Sequence, residues 1–519
     1  MAIWALFRKL VASEFARRVL LASFIVVLFL GGVQLRRWTG DKTRHVRFQH
    51  DIVNGFYWGS ETLAEGRRLS SDKAANSWTA FCRGYFALYD RVKREAYEND
   101  YRLDYPPLRL LVMAIWAKQV RGEFPGVADG HPKLVNPLLK VNLLCELISA
   151  AAIFLLVRLW VRRSSSVTRS PFLRALPPQR RAILPFYLLA ALAALKNRWF
   201  CCGCLLAAGA MLKGQLLFVT PFFVFWPLWQ KRWARTLCMI AGFAATAALI
   251  VAPWLLCDAA AWIVVALVAG LSSLFFLCSG SRHAGVWMAG IIACAVFLIG
   301  ALNGGSFAWL QIGFLYGSEH YPYLFISSCY NLPWLLSDFG WSLKDPFWSL
   351  NLGSLHFALT LQWMLRLLYL GALALSAYGA ARHTRNRDPR VLIAIAAPWL
   401  LMFALLGQMQ ERYLLWGAVV SAVALGVSFR LSIIHFIISA ASTAMIVHVM
   451  LIDKKLESTL RAIDVLNDIR PYASGLVLVC VAVCLWNMLS TRIPAFQRRQ
   501  SDLSSTVSSL SLGPAPEEA

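Results

Sequence analysis

Long runs of apolar residues, separated by short clusters of Arg and Lys, dominate the pattern of this 519-residue chain. The runs are continuous rather than alternating with polar positions, which favours helices over strands. Many approach the roughly 20 residues that an α-helix needs to cross a bilayer. Because a backbone inside lipid must satisfy its own hydrogen bonds, the pattern predicts an all-α fold, a polytopic transmembrane helical bundle.

Basic clusters indicate the topology, because Lys and Arg are enriched in short cytoplasmic loops. Such clusters lie within residues 158–181, 231–235, 382–390 and 492–499. We therefore predict a bundle of about 10–13 helices with both termini on the cytoplasmic side. The predicted spans are residues 19–33, 138–157, 182–197, 199–229, 236–256, 261–280, 285–302, 355–380, 391–407, 413–430, 431–451 and 472–490.

One of these runs, residues 199–229, is too long for a simple crossing and contains Lys213, Pro221 and Pro227. Proline removes a helical hydrogen bond and bends or ends a helix. We therefore expect this run to be broken or re-entrant. The run 107–120 is short for a span.

The remaining segments fall on the two sides of the predicted bundle. Residues 1–18 form a cytoplasmic N-terminus, and the first apolar run is interpreted as an uncleaved helix because no small-residue cleavage site follows it. Residues 19–499 form the transmembrane domain. Its first outer loop covers residues 34–137, its second covers residues 303–354, and a short outer turn runs from Gln408 to Tyr413. The Ser-rich tail, residues 500–519, is expected to be disordered.

Composition supports the membrane assignment and narrows the chemistry. Only 15% of residues are charged and 58% are apolar, whereas soluble domains have about a quarter charged residues. The net charge of +24 first suggests nucleic acid, but most Lys and Arg lie at the ends of apolar runs and no nucleic-acid-binding module interrupts them. The twelve cysteines have no zinc or disulfide spacing, so we predict no metal site. We also predict no cofactor and no nucleic-acid partner.

The first outer loop contains three candidate acids, Asp51, Glu61 and Asp104. Asp51 lies just beyond the first predicted helix, where a carboxylate could deprotonate a hydroxyl; the alternative is a solvated loop acid. Asp104 precedes Tyr105 and two prolines, which fix an extended entry into the next helix. It could cap that helix or bind substrate.

Further candidates lie in the other outer segments and in one apolar run. Asn331 and the aromatic residues around it would suit either a sugar-binding surface or the aromatic belt of a membrane interface. Arg412 could hold a lipid-linked phosphate through bidentate bonds, or Glu411 and Arg412 could be a structural pair beside Tyr413. Lys213 is a functional candidate because it interrupts an apolar run, although its long side chain could instead reach the membrane surface.

Several motifs resemble the GT-C superfamily of membrane glycosyltransferases. Leu103-Asp104-Tyr105-Pro106-Pro107-Leu108 is similar to the Leu-Asp-Tyr-Pro-Pro motif of the glucosyltransferases that extend lipid-linked oligosaccharides, and Tyr-Pro-Pro-Leu is similar to family 87 polyprenyl-phosphate-mannose transferases. The run from Gln408 to Leu415 resembles a Gln-Met-His-Glu-Arg-Tyr-Leu segment, with Gln410 in place of His. Residues 330–336 resemble a Tyr-Asn-Leu-Trp-Ala-Leu segment.

The resemblance implies a hexosyltransferase that moves a monosaccharide, in family 87 mannose, from a polyprenyl- or dolichyl-phosphate donor to a glycan or lipid acceptor, with inversion. It implies a base in the first outer loop, for which Asp51 is the first choice, Glu61 the second and Asp104 the third. We also predict substrate-binding roles for Asp104, Tyr105, Lys213, Asn331, Glu411, Arg412 and Tyr413. The expected location is a bacterial inner membrane or the endoplasmic reticulum.

Two other classes stay open at this point, a transporter or lipid flippase and a non-catalytic membrane scaffold. A transporter would favour ionisable residues deep in the helices and an internal repeat. We find few such residues and no repeat in the sequence.

Overall fold

The computed structural model describes residues 50–69, 78–95, 103–127, 131–163, 184–256, 259–279, 284–302, 306–315, 329–352, 355–423, 429–454 and 460–490, together with the single positions 23, 27, 30, 31, 34 and 427. Residues 353–354 join two described strands, and their own placement lies outside these ranges. Most of the predicted first span and the whole tail from residue 500 also lie outside them.

The described chain is almost entirely helical, which confirms the all-α prediction. In chain order the helices are α1 (His50–Leu69), α2 (Trp78–Glu95), α3 (Pro107–Glu123), α4 (Pro132–Arg163), α5 (Leu184–Leu195), α6 (Trp199–Leu212), α7 (Gln215–Trp229), α8 (Trp233–Leu255), α9 (Ala259–Ser279), α10 (Ala284–Leu302), α11 (Ala308–Leu310), α12 (Leu332–Asp338), α13 (Leu361–Arg385), α14 (Val391–Leu405), α15 (Tyr413–Ser421), α16 (Phe429–Lys454), α17 (Leu460–Asp468) and α18 (Arg470–Leu489). A π-helical turn, Gln311–Leu315, continues α11.

Six of the helices are long and apolar enough to cross a membrane, within α4, α8, α10, α13, α16 and α18. Five shorter apolar helices, of 10–17 residues, pack among them. Large apolar side chains face outward from this bundle, including Leu249 of α8, Leu302 of α10 and Trp486 of α18, each about three-quarters exposed. Apolar side chains so open to the surroundings are expected where lipid surrounds the protein. The chain is therefore a membrane-embedded, multi-pass helical protein.

The centre of the bundle is α14, in which every residue from Val391 to Leu405 is buried. At the start of α14, Asp388 accepts hydrogen bonds from Arg390 and lies 3.3 Å from His383. Arg390 also donates to the carbonyl of Ser490, just beyond α18. These bonds join the ends of α13, α14 and α18 at one end of the bundle. The 15 residues of α14 place Leu406 about 22 Å away, at the other end.

The run 199–229 is broken, as expected. Helix α6 ends at Leu212, Lys213 has an extended backbone, and α7 begins at Gln215. The contact between Trp199 and Trp226, whose ring centres are 5.7 Å apart, shows that α6 and α7 form an antiparallel hairpin. Lys213 therefore lies at the turn of a helical hairpin rather than along one continuous span.

The segment predicted as the first outer loop, residues 34–137, is helical over much of its described part, because α1, α2 and α3 lie there. Helices α1 and α2 cross at Gly66 and Gly84, where a Cβ on Gly84 would come within 2.2 Å of the Gly66 backbone. Gly59 of α1 meets Met113 of α3 in the same way, since a Cβ there would come within 2.4 Å of the Met113 carbonyl oxygen. Residues without a Cβ allow this close approach of backbones.

The second outer segment also has more structure than a loop. It contains α11, the π turn and α12, and it ends in a hairpin of β1 (Pro346–Leu352) and β2 (Leu355–Thr360). The predicted span 355–380 is therefore wrong at its start, because β2 occupies residues 355–360 and α13 begins at Leu361. Thr360 caps α13 through a hydrogen bond from the amide of Trp363.

Candidate functional site

Three basic side chains, from three separate parts of the sequence, act electrostatically on Asp104 near the start of α3. Burial raises the pKa of Asp104, but the positive charges of Lys213, Arg109 and Arg412 lower it more, so that the pKa lies below its ordinary value. Asp104 is exposed to solvent although protein surrounds it closely enough to desolvate it. We call the region that Asp104, Arg109, Lys213 and Arg412 border the Asp104 cleft, and the acid in it is ionised at neutral pH.

Three helix starts converge on this cluster. Asp104 precedes the start of α3, Lys213 precedes the start of α7, and Arg412 directly precedes α15. None of these starts is capped by a side-chain hydrogen bond at its N-cap residue. The first amides of a helix have no partner within the helix, and the helix dipole places partial positive charge there. The cleft therefore combines side-chain cations with the positive ends of helices.

Helix α2 holds the segment that carries Asp104. The hydroxyl of Tyr89 donates to the carbonyl of Tyr105 at 2.5 Å, and the hydroxyl of Tyr85 donates to the carbonyl of Pro107. Both tyrosines are fully buried. The guanidinium of Arg109 lies over the ring of Tyr105, 3.8 Å from its centre. These contacts fix the backbone on both sides of the two prolines.

The π turn packs against the same segment. A Cβ on Gly313 would lie 3.0 Å from the Cα of Pro106, and a Cβ on Gly214 would lie 3.3 Å from the ring of Phe314. The π turn thus touches both the Asp104 segment and the break between α6 and α7. π-helical turns within α-helices are found frequently at functional sites.

Residues 408–413 form the third side of the cleft. Gln215 donates a hydrogen bond to the hydroxyl of Tyr413 at 2.8 Å, and the Tyr413 ring stacks on Trp416 with ring centres 4.8 Å apart. Gln408 has a left-handed backbone with φ of 60°, which is uncommon for a residue other than glycine. Glu411 acts on the buried thiol of Cys329, whose pKa is raised by burial and then by this carboxylate.

Two other predicted site residues have structural partners instead. Glu61 pairs with Arg91 of α2, with 2.8 Å between the carboxylate oxygen and the guanidinium nitrogen, and both side chains are about four-fifths buried. Asn331 caps α12 by accepting from the amide of Trp334 and donates to the carbonyl of Phe403. These bonds occupy both ends of the Asn331 amide.

Asp51 occupies the first turn of α1, but its side chain lies outside the described residues. It precedes Gly55 by one helical turn, and a Cβ on Gly55 would lie 3.6 Å from the hydroxyl of Tyr105. Residues four apart share a helix face. The backbone thus places Asp51 on the face of α1 that meets the Asp104 segment.

The sequence brought Asp104, Lys213, Arg412 and Tyr413 forward as separate candidates, and the structure brings them together. The structure adds two residues to these candidates, Arg109 and Gln215. Nη1 of Arg109 is buried without a hydrogen-bond partner among the described residues. Arg109 follows the two prolines within the first turn of α3, a signal that was visible in the sequence. Gln215 becomes a candidate site residue only through its hydrogen bond to Tyr413, which the structure shows.

Comparisons with known proteins add no relative. No protein-family model matches the chain, and no curated protein and no solved structure matches it.

Proposed function

We propose that the chain is a membrane glycosyltransferase that takes a monosaccharide from a polyprenyl- or dolichyl-phosphate donor. The observation that carries the proposal is the convergence of Lys213, Arg109 and Arg412 on Asp104 at three helix starts. The sequence motifs that resemble those of GT-C glycosyltransferases indicate the reaction class, transfer of a sugar from a lipid phosphate.

The charge of the cluster favours a phosphate ligand. Three cations act on one carboxylate, so that positive charge exceeds negative charge among these four side chains and favours a ligand that brings negative charge. A phosphate ester provides that charge and accepts bidentate bonds from guanidinium groups such as those of Arg109 and Arg412. Helix starts add amide donors for the same oxygens.

The cleft can support direct displacement at a sugar carbon. The acceptor hydroxyl attacks the anomeric carbon, a carboxylate takes its proton, and the lipid phosphate leaves with the electron pair of the broken C–O bond. The cations stabilise that leaving charge in place, without a further proton. Displacement from the opposite face inverts the anomeric configuration.

Of the acids whose side chains are described, we assign proton acceptance to Asp104, and Asp51 is the competing assignment. The cations hold the pKa of Asp104 low while no phosphate is bound. A bound phosphate compensates their charge, so that the pKa of Asp104 rises toward its ordinary range and the carboxylate becomes a better base. Proton acceptance is then coupled to occupation of the donor site.

The test is sugar transfer by the purified chain in proteoliposomes, with a panel of radiolabelled polyprenyl-phosphate sugars. We expect the wild type to label an acceptor, and we expect Arg109→Gln and Arg412→Gln to lower kcat/KM by about ten- to a hundredfold, since a charged hydrogen bond is worth roughly 1.5–3 kcal/mol. Arg121→Gln is the matched control, because Arg121 lies at the other end of α3 and also stacks on an aromatic ring, that of Phe56.

The same assay separates the two acids. An inactive Asp104→Asn with an active Asp51→Asn supports Asp104 as the base, and the reverse result assigns the base to Asp51. If no donor in the panel is used, or if Arg121→Gln loses as much activity as Arg109→Gln, the transferase proposal fails.

The break at Lys213 is an observation that favours a transporter. Substrate sites of transporters lie at discontinuous helices, where half-helix ends meet an ion. A transporter would move the labelled lipid phosphate or sugar across the proteoliposome membrane and leave it chemically unchanged, so that chromatography of the recovered label distinguishes the two functions.

A further inference from the structure

A second group of polar side chains lies on the other side of residues 408–412, where α12, α16 and α18 meet. Arg470 begins α18, His448 lies near the end of α16, and Tyr330 directly precedes Asn331, the cap of α12. All three residues are buried, with at most 8% of their surface exposed. We call Tyr330, His448 and Arg470 the Arg470 cluster.

Contacts show that the three residues converge. The amide of Tyr330 lies 3.2 Å from the sulfur of Met445, which is one helical turn before His448 on the same face of α16. The guanidinium of Arg470 lies over the ring of Trp334, 4.8 Å from its centre. Arg470 also acts electrostatically on both Tyr330 and His448.

The cluster has polar atoms that no described group satisfies. The hydroxyl of Tyr330, both ring nitrogens of His448 and Nε of Arg470 are buried without a hydrogen-bond partner among the described residues. Nearly all buried polar groups in proteins have a partner. Arginine keeps its charge in any protein environment, so its unbonded donor is the most costly of these.

The carboxylates near the cluster whose placement is described do not satisfy it. Asp338 acts on Arg470 electrostatically, but within the described residues no ion pair of 4.0 Å or less joins them. Arg470 has one side-chain bond, to Asn467. Glu411 acts electrostatically on Cys329, whose thiol donates to the carbonyl of Met409 at 3.0 Å, and among the described residues it forms no ion pair of 4.0 Å or less with Arg470.

We propose that the Arg470 cluster is a second phosphate site, which takes the phosphate group of a membrane lipid and is distinct from the Asp104 cleft. A guanidinium, a phenol and an imidazole N–H all donate hydrogen bonds, which is what a phosphate oxygen requires. The cluster lies at the start of an apolar helix that is long enough to cross the membrane. The phosphate of a lipid in the surrounding bilayer would therefore lie at the level of the Arg470 cluster, and the acyl chains of that lipid would lie along α16 and α18.

The two sites share one wall. The carbonyl of Met409 accepts a hydrogen bond from Cys329, on which Glu411 and Arg470 both act electrostatically, while Arg412 acts on Asp104. A phosphate in either site would therefore affect the position of the same short segment, residues 408–412. Gln408 in this segment has an uncommon backbone conformation. Occupation of the second site is expected to position Arg412.

The test measures lipid binding and needs no sugar donor, so its failure would not be a failure of the proposed transferase. The purified full chain in nanodiscs of uncharged lipid is titrated with phosphatidic acid, phosphatidylcholine and inorganic phosphate, and bound ligand is read by native mass spectrometry and by thermal shift. We expect phosphatidic acid to bind more tightly than phosphatidylcholine, since its phosphate is unshielded by choline and carries more charge.

Tyr330→Phe is the decisive variant. It removes only a hydroxyl that has no hydrogen-bond partner among the described residues, so the fold should tolerate it, and it should weaken phosphatidic acid binding about tenfold, which corresponds to roughly 1.4 kcal/mol. Arg470→Gln should weaken it further. Arg461→Gln is the matched control, since Arg461 is an exposed arginine of the adjoining α17 and should leave binding unchanged.

The ligand panel identifies the source of the phosphate. Binding of phosphatidic acid without binding of inorganic phosphate supports the lipid assignment. Equal binding of inorganic phosphate would overturn the lipid part of the proposal, and no binding, or equal loss in Tyr330→Phe and Arg461→Gln, would overturn the site itself.

Discussion

Gln215 donates a hydrogen bond of 2.8 Å to the hydroxyl of Tyr413, and this bond ties the break between α6 and α7 to the segment that carries Arg412. The two residues are far apart in sequence but adjacent at the cleft. The bond therefore sets the spacing between Lys213, two residues before Gln215, and Arg412, one residue before Tyr413. Asp104 faces both cations across this spacing.

Tyr413→Phe should weaken that connection while the stack on Trp416 remains. The loss of one buried hydrogen bond should reduce the free energy of unfolding by about 1 kcal/mol. It should also lower the transfer rate, because Arg412 is positioned less well. Unfolding in mixed detergent micelles measures the first effect, and the proteoliposome assay measures the second. Tyr378→Phe is the control, since Tyr378 packs on Trp229 away from the cleft; an equal effect there would contradict the prediction.

The stability that Asp104 contributes should depend on pH in one direction. Since the folded-state pKa is below its ordinary value, the contribution is complete above that ordinary value, about 3.9, and is lost as the pH falls through the folded-state pKa. The wild type should therefore exceed Asp104→Asn in thermal stability at pH 7, and the difference should shrink as the pH falls below about 4.

Thermal unfolding of both proteins between pH 7 and pH 3 checks this, with Asp464→Asn as the control because Asp464 is an exposed carboxylate of α17. A difference that grows on acidification would show that Asp104 is not stabilised by cations.

Glu61→Gln should reduce stability without abolishing transfer. Glu61 pairs with Arg91 across α1 and α2, and Arg91 lies 3.7 Å from a Glu65 oxygen as well. A partly buried pair of this kind is worth roughly 0.5–1 kcal/mol. A double-mutant cycle with Arg91→Gln gives the coupling energy, and loss of transfer in Glu61→Gln at unchanged stability would restore Glu61 as a candidate base.

Gly84→Ala should separate α1 from α2. The added Cβ would come within 2.2 Å of the backbone of Gly66, which cannot move as a side chain can. We expect destabilisation of about 2 kcal/mol and a lower yield of folded protein. Gly371→Ala in α13 has open space around its Cβ and should be neutral or slightly stabilising. Similar losses for both variants would show that the crossing is not the cause.

The sequence predicted the architecture because the lengths of apolar runs decide it. The break at Lys213 could be predicted as well, since a charge and two prolines interrupt a run too long for one span. The helices α1 and α2 were missed because their apolar faces are short and meet each other through glycines such as Gly66 and Gly84, which give no hydrophobic signal. The hairpin of β1 and β2 had a detectable signal, a Gly-Ser pair between two apolar runs.

The candidate site could be predicted only in pieces. Asp104, Lys213 and Arg412 stood out singly because charges beside apolar runs are costly. Their convergence depends on how the helices pack, which one sequence does not encode locally. For the same reason Asn331 and Glu61 looked like free functional groups, although one caps a helix and the other pairs with Arg91.

The three helix starts at the cleft also bear on how the chain is made. Asp104, Lys213 and Arg412 leave the ribosome at widely separated times, so the three helix starts cannot meet while the chain is short. All three cations act on Asp104 together only after α14 and α15 have been inserted and packed. A nascent chain that stops before Arg412 would thus contain an incomplete anion site, and full affinity for phosphate would report that assembly of the bundle is finished.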